Sequence, residues 1–540
     1  MIPRVYLYDT TLRDGAQREG ISFTVEDKLK IARKLDELGL HFIEGGWPGS
    51  NPRDTEFFQR VPALGLKNSV LVAFSSTRKP KTKTARDGSL RALLEARTKA
   101  VTIVGKSWDL HVTRILETTL EENLRMISES VTFLKDKKLT VFFDAEHFFD
   151  GYKANPAYAL ETLRAAAEAG VDCLVLCDTN GGKLPPEVGE TITAVRQRFD
   201  VPLGIHAHND SELAVANSLV AVQNGVTHIQ GTINGYGERC GNANLCSIIP
   251  TLKLKMGIDC LGRGQLAKLT EVSHFVNEIA NLSPDTHLPY VGAHAFTHKA
   301  GYHVSSIIKY EDSYHHIKPD LVGNRHEVLI SELSGKGNIR YKAREKGVAP
   351  SLDNERAQKI AEQIKHLESR GFQYDSAEAS FELLLHRSEP DYQQPFELVD
   401  FMVVVEKRRR PPTAANQEEM MAEATVKVKV GSQVMHTAAE GNGPVNALDQ
   451  ALRKALASSY PELASIKLVD YKVRILEETA GTASQVRVLI ESSDGEEEWR
   501  TVGSSSNIIE ASWLALADSL EYRLLRHAKK KAASQVSPVA

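Results

Sequence analysis

Over roughly the first 270 residues, short β-rich runs alternate with amphipathic helical patterns, and that rhythm leaves few folds open. Strand-like runs fall near residues 5–9, 40–45, 69–74, 100–104, 139–146, 172–177, 202–208 and 226–232. Helical stretches separate them. Thr24 reads as an N-cap with Glu26 and Asp27 in the first turn. Behind it Val25, Leu29, Ala32, Leu35 and Leu38 recur at helical spacing until Gly39 ends the run. Asn155-Pro156 opens another helix, which Gly170 closes. Eight strands alternating with helices over this length predict a (β/α)8 TIM barrel, with a doubly wound open sheet as the alternative. Barrel chemistry sits at the C-terminal ends of the strands.

Two motifs fall at such ends. Val5-Tyr6-Leu7 leads into Tyr8-Asp9-Thr10-Thr11-Leu12-Arg13-Asp14-Gly15-Ala16-Gln17, and Val201-Pro202-Leu203-Gly204-Ile205 leads into His206-Ala207-His208-Asn209-Asp210. Side chains alternate along a strand, so His206 and His208 share a face. Two imidazoles and one carboxylate at strand exits suit a divalent metal with positions open to a substrate. Arg13, beside that carboxylate, suits negative charge developing on a substrate oxygen. Taken singly, a His-x-His is often structural and an Arg-Asp pair is often a loop ion pair. Together they point to a metalloenzyme.

Composition excludes several other classes. The 540 residues are 42% apolar and 25% charged with a net charge of −4, which gives no field that suggests nucleic acid. No run of about twenty apolar residues suggests a membrane span. The start, Met1-Ile2-Pro3-Arg4, leads straight into the first strand without the pattern of a signal peptide. Cys173, Cys177, Cys240, Cys246 and Cys260 lack CxxC spacing and read as reduced thiols of a cytoplasmic protein.

This length predicts two or three domains. We expect the barrel over 1–270, a helical and polar subdomain over 271–395, an α+β unit over 396–527 and a solvated tail over 528–540. The third unit opens on Val399–Val405, and Lys407-Arg408-Arg409-Arg410-Pro411-Pro412 then reads as an exposed loop. A repeat is visible behind it: strand Ala424–Val430 and helix Gly443–Leu456, then strand Val486–Glu491 and helix Asn507–Leu520. The Gly-rich stretch 235–241 lies at a barrel mouth without a Rossmann unit, which argues against dinucleotide binding.

Leu12-Arg13-Asp14-Gly15-x-Gln17 with Lys28, and His206-x-His208-Asn209-Asp210, resemble the aldol- and Claisen-type metal lyases and synthases built on TIM barrels. That family includes 2-isopropylmalate, homocitrate and citramalate synthases and hydroxymethylglutaryl-CoA lyase. Glu212 departs from the pattern, standing where the family usually has a small residue. The resemblance implies Asp14, His206 and His208 as ligands of Mg²⁺, Mn²⁺ or Zn²⁺, with Asn242 completing or supporting the shell. It implies that Arg13 stabilises the alkoxide, Gln17 helps orient that centre and Thr179 holds the oxo-acid carboxylate. Glu146 matches the family's catalytic glutamate and His303 a histidine from the appended subdomain; Tyr314 is a further contributor. Because that subdomain reaches into a partner's barrel in related synthases, a homodimer is expected.

The reaction implied joins acetyl-CoA to a 2-oxo acid. Asp144 shares a strand face with Glu146 and points toward the same pocket, where an unpaired carboxylate would oppose a branched apolar side chain. That favours pyruvate over 2-oxoisovalerate. Glu44–Pro52 and Asp144–Tyr152 also resemble the citramalate-forming subgroup. The alternatives are a 2-isopropylmalate synthase and a non-catalytic amino-acid sensor with a degenerate barrel. The two-part C-terminal unit resembles the family's regulatory domain, which implies isoleucine as feedback effector, with Glu478–Ala483 as the candidate loop.

Overall fold

The computed structural model describes residues 4–348, 352–406, 421–476 and 484–536. Eight parallel strands follow one another around a closed barrel: β1 (Tyr6–Asp9), β2 (Phe42–Gly46), β3 (Val70–Ser76), β4 (Ala100–Lys106), β5 (Thr140–Glu146), β6 (Cys173–Asp178), β7 (Leu203–Ala207) and β8 (His228–Gly231). β1 closes on β8 with Tyr6 opposite His228 and Asp9 opposite Gly231. The barrel expected from the alternation is therefore present, and the open sheet is excluded. Local chemistry sets its helices. Val25–Leu38 starts in a capping box between Thr24 and Asp27 and stops at Gly39, whose φ of 89° is left-handed.

The barrel interior is a packed plug. Tyr8, Val72, Ala100, Phe142, Cys173, Val175 and Cys177 form one buried cluster with Phe42 against it. The His228 ring lies 5.0 Å from those of Tyr8 and Phe142, and burial pushes its pKa down to about 3, so it is a neutral core residue. A larger apolar layer fills the space between strands and helices. All five cysteines are free; Cys240 alone is exposed. Any site must lie above the plug, at the strands' C-terminal ends.

The chain divides into two compact units, Met1–Phe296 with His315–His326, and Thr297–Tyr314 with Glu327–Ala540. In the second, β9 (Thr297–His298) pairs with β10 (Glu327–Val328), and helices span Lys336–Glu345, Asn354–Ser369 and Glu378–Arg387. Then come β11 (Glu397–Glu406), β12 (Met421–Val430) and β13 (Gln433–Gly441), an antiparallel sheet followed by helix Pro444–Leu456. The pattern repeats as β14 (Lys467–Ile475), β15 (Val486–Ser493) and β16 (Glu498–Ser505), followed by helix Ile508–Val536. Each repeat is thus three strands and a helix, which gives the strand count of the two β-rich halves, each closed by a helix, expected from the sequence. The last helix also runs through Lys529–Lys531, where a solvated tail was expected. The basic run Lys407–Pro412 and the turn Glu478–Ala483 lie outside the described residues. Among the described residues no helix is long and apolar enough to cross a membrane.

Candidate active site

Asp14 follows β1 in a tight turn, in which the Arg13 and Gly15 amides both donate to the Thr10 carbonyl. Its Oδ2 lies 3.2 Å from His206 Nε2 and 4.0 Å from His208 Nε2, and the two imidazole Nε2 atoms are 3.3 Å apart. A backbone bridge brings Asn242 beside His208, and Asn242 Nδ2 donates to Asp14 Oδ2 at 2.9 Å. The approach depends on Gly241: its φ is 91°, and a Cβ there would sit 2.0 Å from the Gly235 carbonyl oxygen. Glu212, the departure from the family pattern, has a φ of 58°, a left-handed turn that most side chains avoid.

Electrostatics favour a cation here. Against the cost of burial, Arg13 and both imidazoles hold the Asp14 carboxyl well below the usual carboxylate range. Burial, then the neighbouring His206, pushes His208 down to about 3, so it is neutral. His208 Nδ1 and Asn242 Oδ1 are buried without a hydrogen-bond partner. Donor atoms of Asp14, His206 and His208 all lie within 4.8 Å of one another. Two neutral-capable imidazoles, one carboxylate and an orphaned amide oxygen form a donor set that fits a divalent ion.

Three neighbours of this cluster went unread in the sequence. Glu44, fully buried on β2, accepts from Arg13 Nε at 2.5 Å and from Tyr8 Oη at 2.5 Å, while the Arg13 guanidinium carbon lies 3.9 Å from the Phe74 ring centroid. Gln230, on β8, joins His206 Nδ1 to Asp144 Oδ1 with 2.9 Å bonds on both sides. Asp144 faces the pocket as expected but is not an unpaired carboxylate, because Gln230 donates to it; burial pushes its pKa up to about 7. Lys106 stands opposite Glu146 in the β4–β5 register and forms an ion pair with it. Strand parity could have flagged Glu44 and Gln230 as inward-facing. Their partners depend on the register between strands.

The pocket above the plug holds about 390 Å³. It gathers Arg13, Asp14, Gln17, Asp144, Glu146, Thr179, His206 and His208, with Trp47 and Phe74 as an aromatic wall. Thr179 Oγ1 accepts from the His147 amide at 2.9 Å. His303 and Tyr314 belong to the second unit, where their rings stack with centroids 4.3 Å apart, and the pocket is lined by first-unit residues alone.

Comparison with known proteins identifies the barrel and the segments that follow it. Residues 4–276 match the HMGL-like family, 290–371 the homocitrate synthase post-HMGL domain-like family, and 375–524 the LeuA allosteric (dimerisation) domain. The match to the closed parallel barrel sets the class: the chain belongs to the HMGL-like family. Several relatives that match the chain along nearly the whole length are (R)-citramalate synthases. The Geobacter sulfurreducens protein of that name is 55% identical over 520 residues, 96% of this chain and 97% of the relative. That of Aquifex aeolicus is 52% identical, covering 97% and 99% of the two chains. That of Synechocystis is also 52% identical, covering 96% of each.

Proposed function

We propose that this chain condenses acetyl-CoA with pyruvate and hydrolyses the thioester, so that acetyl-CoA, pyruvate and water give citramalate and CoA. The relationship to (R)-citramalate synthases along the whole chain carries this reading, and the pocket supplies groups for each chemical demand.

Asp14, His206 and His208 would hold a divalent ion, with Asn242 supporting the shell; bound there, it would supply Lewis-acid polarisation of the oxo-acid carbonyl. Arg13 is held at Nε by Glu44, which leaves its terminal nitrogens for the oxygen that gains charge during condensation. Thr179 receives a proton donor from the His147 amide, so its own hydroxyl proton is free for the oxo-acid carboxylate. Gln17, at the end of the short turn Gly15–Gln17, helps orient the same centre. Glu146 is assigned the removal of the acetyl methyl proton, with its carboxylate positioned by the ion pair to Lys106. His303 and Tyr314 are assigned to the same proton relay. Asp144 puts a polar carboxyl group on the pocket wall, and the methyl of pyruvate asks for less apolar surface there than a branched side chain does.

The active form in this reading is a cytoplasmic homodimer, in keeping with the dimerisation domain that residues 375–524 match. Its pathway is isoleucine synthesis, with isoleucine as feedback effector. The test is release of free CoA from acetyl-CoA with pyruvate, 2-oxoisovalerate, 2-oxobutyrate or 2-oxoglutarate supplied separately. Pyruvate should give the highest kcat/KM, and isoleucine, not leucine, should inhibit. A higher kcat/KM with 2-oxoisovalerate would replace this reading with a 2-isopropylmalate synthase.

A further inference from the structure

Gln230 is a fully buried amide between two groups of opposite demand. On one side its Nε2 faces Asp144 Oδ1, on the other its Oε1 faces His206 Nδ1, each at 2.9 Å. Asp144 Oδ1 accepts from Gln230 Nε2, which sets the amino end of the amide toward Asp144. The carbonyl end must then face His206, and Nδ1 must carry the imidazole proton. That leaves Nε2, 3.2 Å from Asp14 Oδ2 and 3.3 Å from His208 Nε2, as the ring nitrogen available to a cation held by the cluster. The opposite amide orientation would set two acceptors against each other at Asp144 and turn the wrong imidazole tautomer toward the cluster. β-Sheet register makes the contact: Gln230 is the β8 partner of His206 on β7. Asp144 reaches it from β5, and Asp144 also lines the pocket.

We propose that Gln230 is a positioning residue whose amide locks His206 in the tautomer that presents Nε2, and thereby builds the cation-binding triad and the pocket carboxylate Asp144 as one rigid assembly. This rests on the reading of Asp14, His206 and His208 as a metal centre. Partners of this kind typically change metal affinity by about 10–100-fold when removed. Gln230 also gives a mechanical link between the floor of the oxo-acid pocket and a ligand, so a change at Asp144 is felt at His206 without direct contact.

The experiment is Co²⁺ binding to the full-length protein freed of metal, followed by the cobalt absorption bands and by competition with a chelator. Three substitutions at this position separate the possibilities. Gln230→Met keeps the length but removes both hydrogen bonds, and should weaken Co²⁺ binding about 10–100-fold with the melting curve of the metal-free protein little changed. Gln230→Asn stays polar but is one methylene too short to span both partners, and should lose affinity similarly; it serves if the Met variant does not fold. Gln230→Glu accepts from His206 Nδ1–H and, kept protonated by the Asp144 carboxyl beside it, donates to Asp144, so its affinity should stay within a few-fold of wild type. Wild-type Co²⁺ affinity in the Met or Asn variant, alongside weak binding by Asp14→Ala, would overturn the role of Gln230 and leave the metal centre standing. Wild-type affinity in Asp14→Ala would remove the metal centre itself, and this inference with it.

Discussion

In the second unit, the Glu378 carboxylate meets Lys342 at 2.9 Å and Lys346 at 2.6 Å, whereas in the barrel Asp9 and Asp144 are enclosed with hydrogen bonds only from neutral donors. The consequences run in opposite directions. Against the cost of burial, the two lysines hold Glu378 down to about 2; burial pushes Asp9 and Asp144 up to about 7. Glu521, almost wholly buried, likewise meets a cation, accepting from Arg387 at 3.0 and 2.7 Å. Paired carboxylates of this sort tie helices together. Carboxylates buried without a cation cost stability, and a fold retains them where the charge is used. The barrel mouth is such a place, and the second unit's helix contacts are not.

The difference can be broken most sharply at Asp14. Asp14→Ala should abolish Co²⁺ binding and reduce CoA release to background, a larger loss than the roughly 10–100-fold typical of an outer partner. Retained activity would mean that the barrel carboxylates carry no cation. Next in size is Glu146→Gln, expected to cut turnover about 10²–10⁴-fold and to stop deuterium wash-in to the acetyl methyl group while pyruvate still binds. Normal wash-in would shift the base to His303. On the other side of the comparison, Arg387→Met leaves Glu521 and Asp518 buried without their guanidinium. It should destabilise the second unit by about 3–5 kcal/mol in chemical denaturation, with Co²⁺ affinity at the barrel unchanged. Arg13→Ala should keep the metal and lower kcat about 10²–10³-fold; a kcat near wild type would confine Arg13 to an ion pair.

The smallest effect is the dependence on pH, and its sign differs between the units. Asp9 has a folded pKa of about 7, above its unfolded value, so the folded state keeps a proton that the unfolded state has released. Its contribution is present at low pH and is lost as pH rises from about 4 to about 7. Glu378, with a folded pKa of about 2, contributes above the unfolded glutamate value and loses that as pH falls toward 2. Between about pH 4 and pH 7 the Asp9 contribution to the stability of the metal-free protein should therefore fall with rising pH. Its sign is opposite to that of the buried neutral His208 and His228, and Asp9→Asn should remove it from the pH dependence of the melting temperature. Glu378→Gln should instead flatten the acid limb. A slope unchanged by Asp9→Asn would show that burial at the barrel mouth does not shift Asp9.

The sequence by itself determined the barrel, because each of its signals is local. Period-two runs, the Thr24–Asp27 capping box and the left-handed Gly39 are set within a few neighbouring residues. It also determined the candidates Asp14, His206 and His208, since their placement follows from strand exits and strand parity alone. It showed the two β-rich halves of the C-terminal unit, each closed by a helix, without bounding every strand, because β13 and β14 are exposed along much of their length and lack a clear apolar alternation. What only the tertiary structure decided is who meets whom. Arg13 finds Glu44 thirty-one positions away, and Gln230 finds His206 and Asp144 at separations of 24 and 86. Lys106 meets Glu146 because β4 and β5 pair in that register and in no other. Register, closure of β1 on β8 and the depth of the plug are collective outcomes of packing, and they turn eight locally legible strands into one buried, charged site.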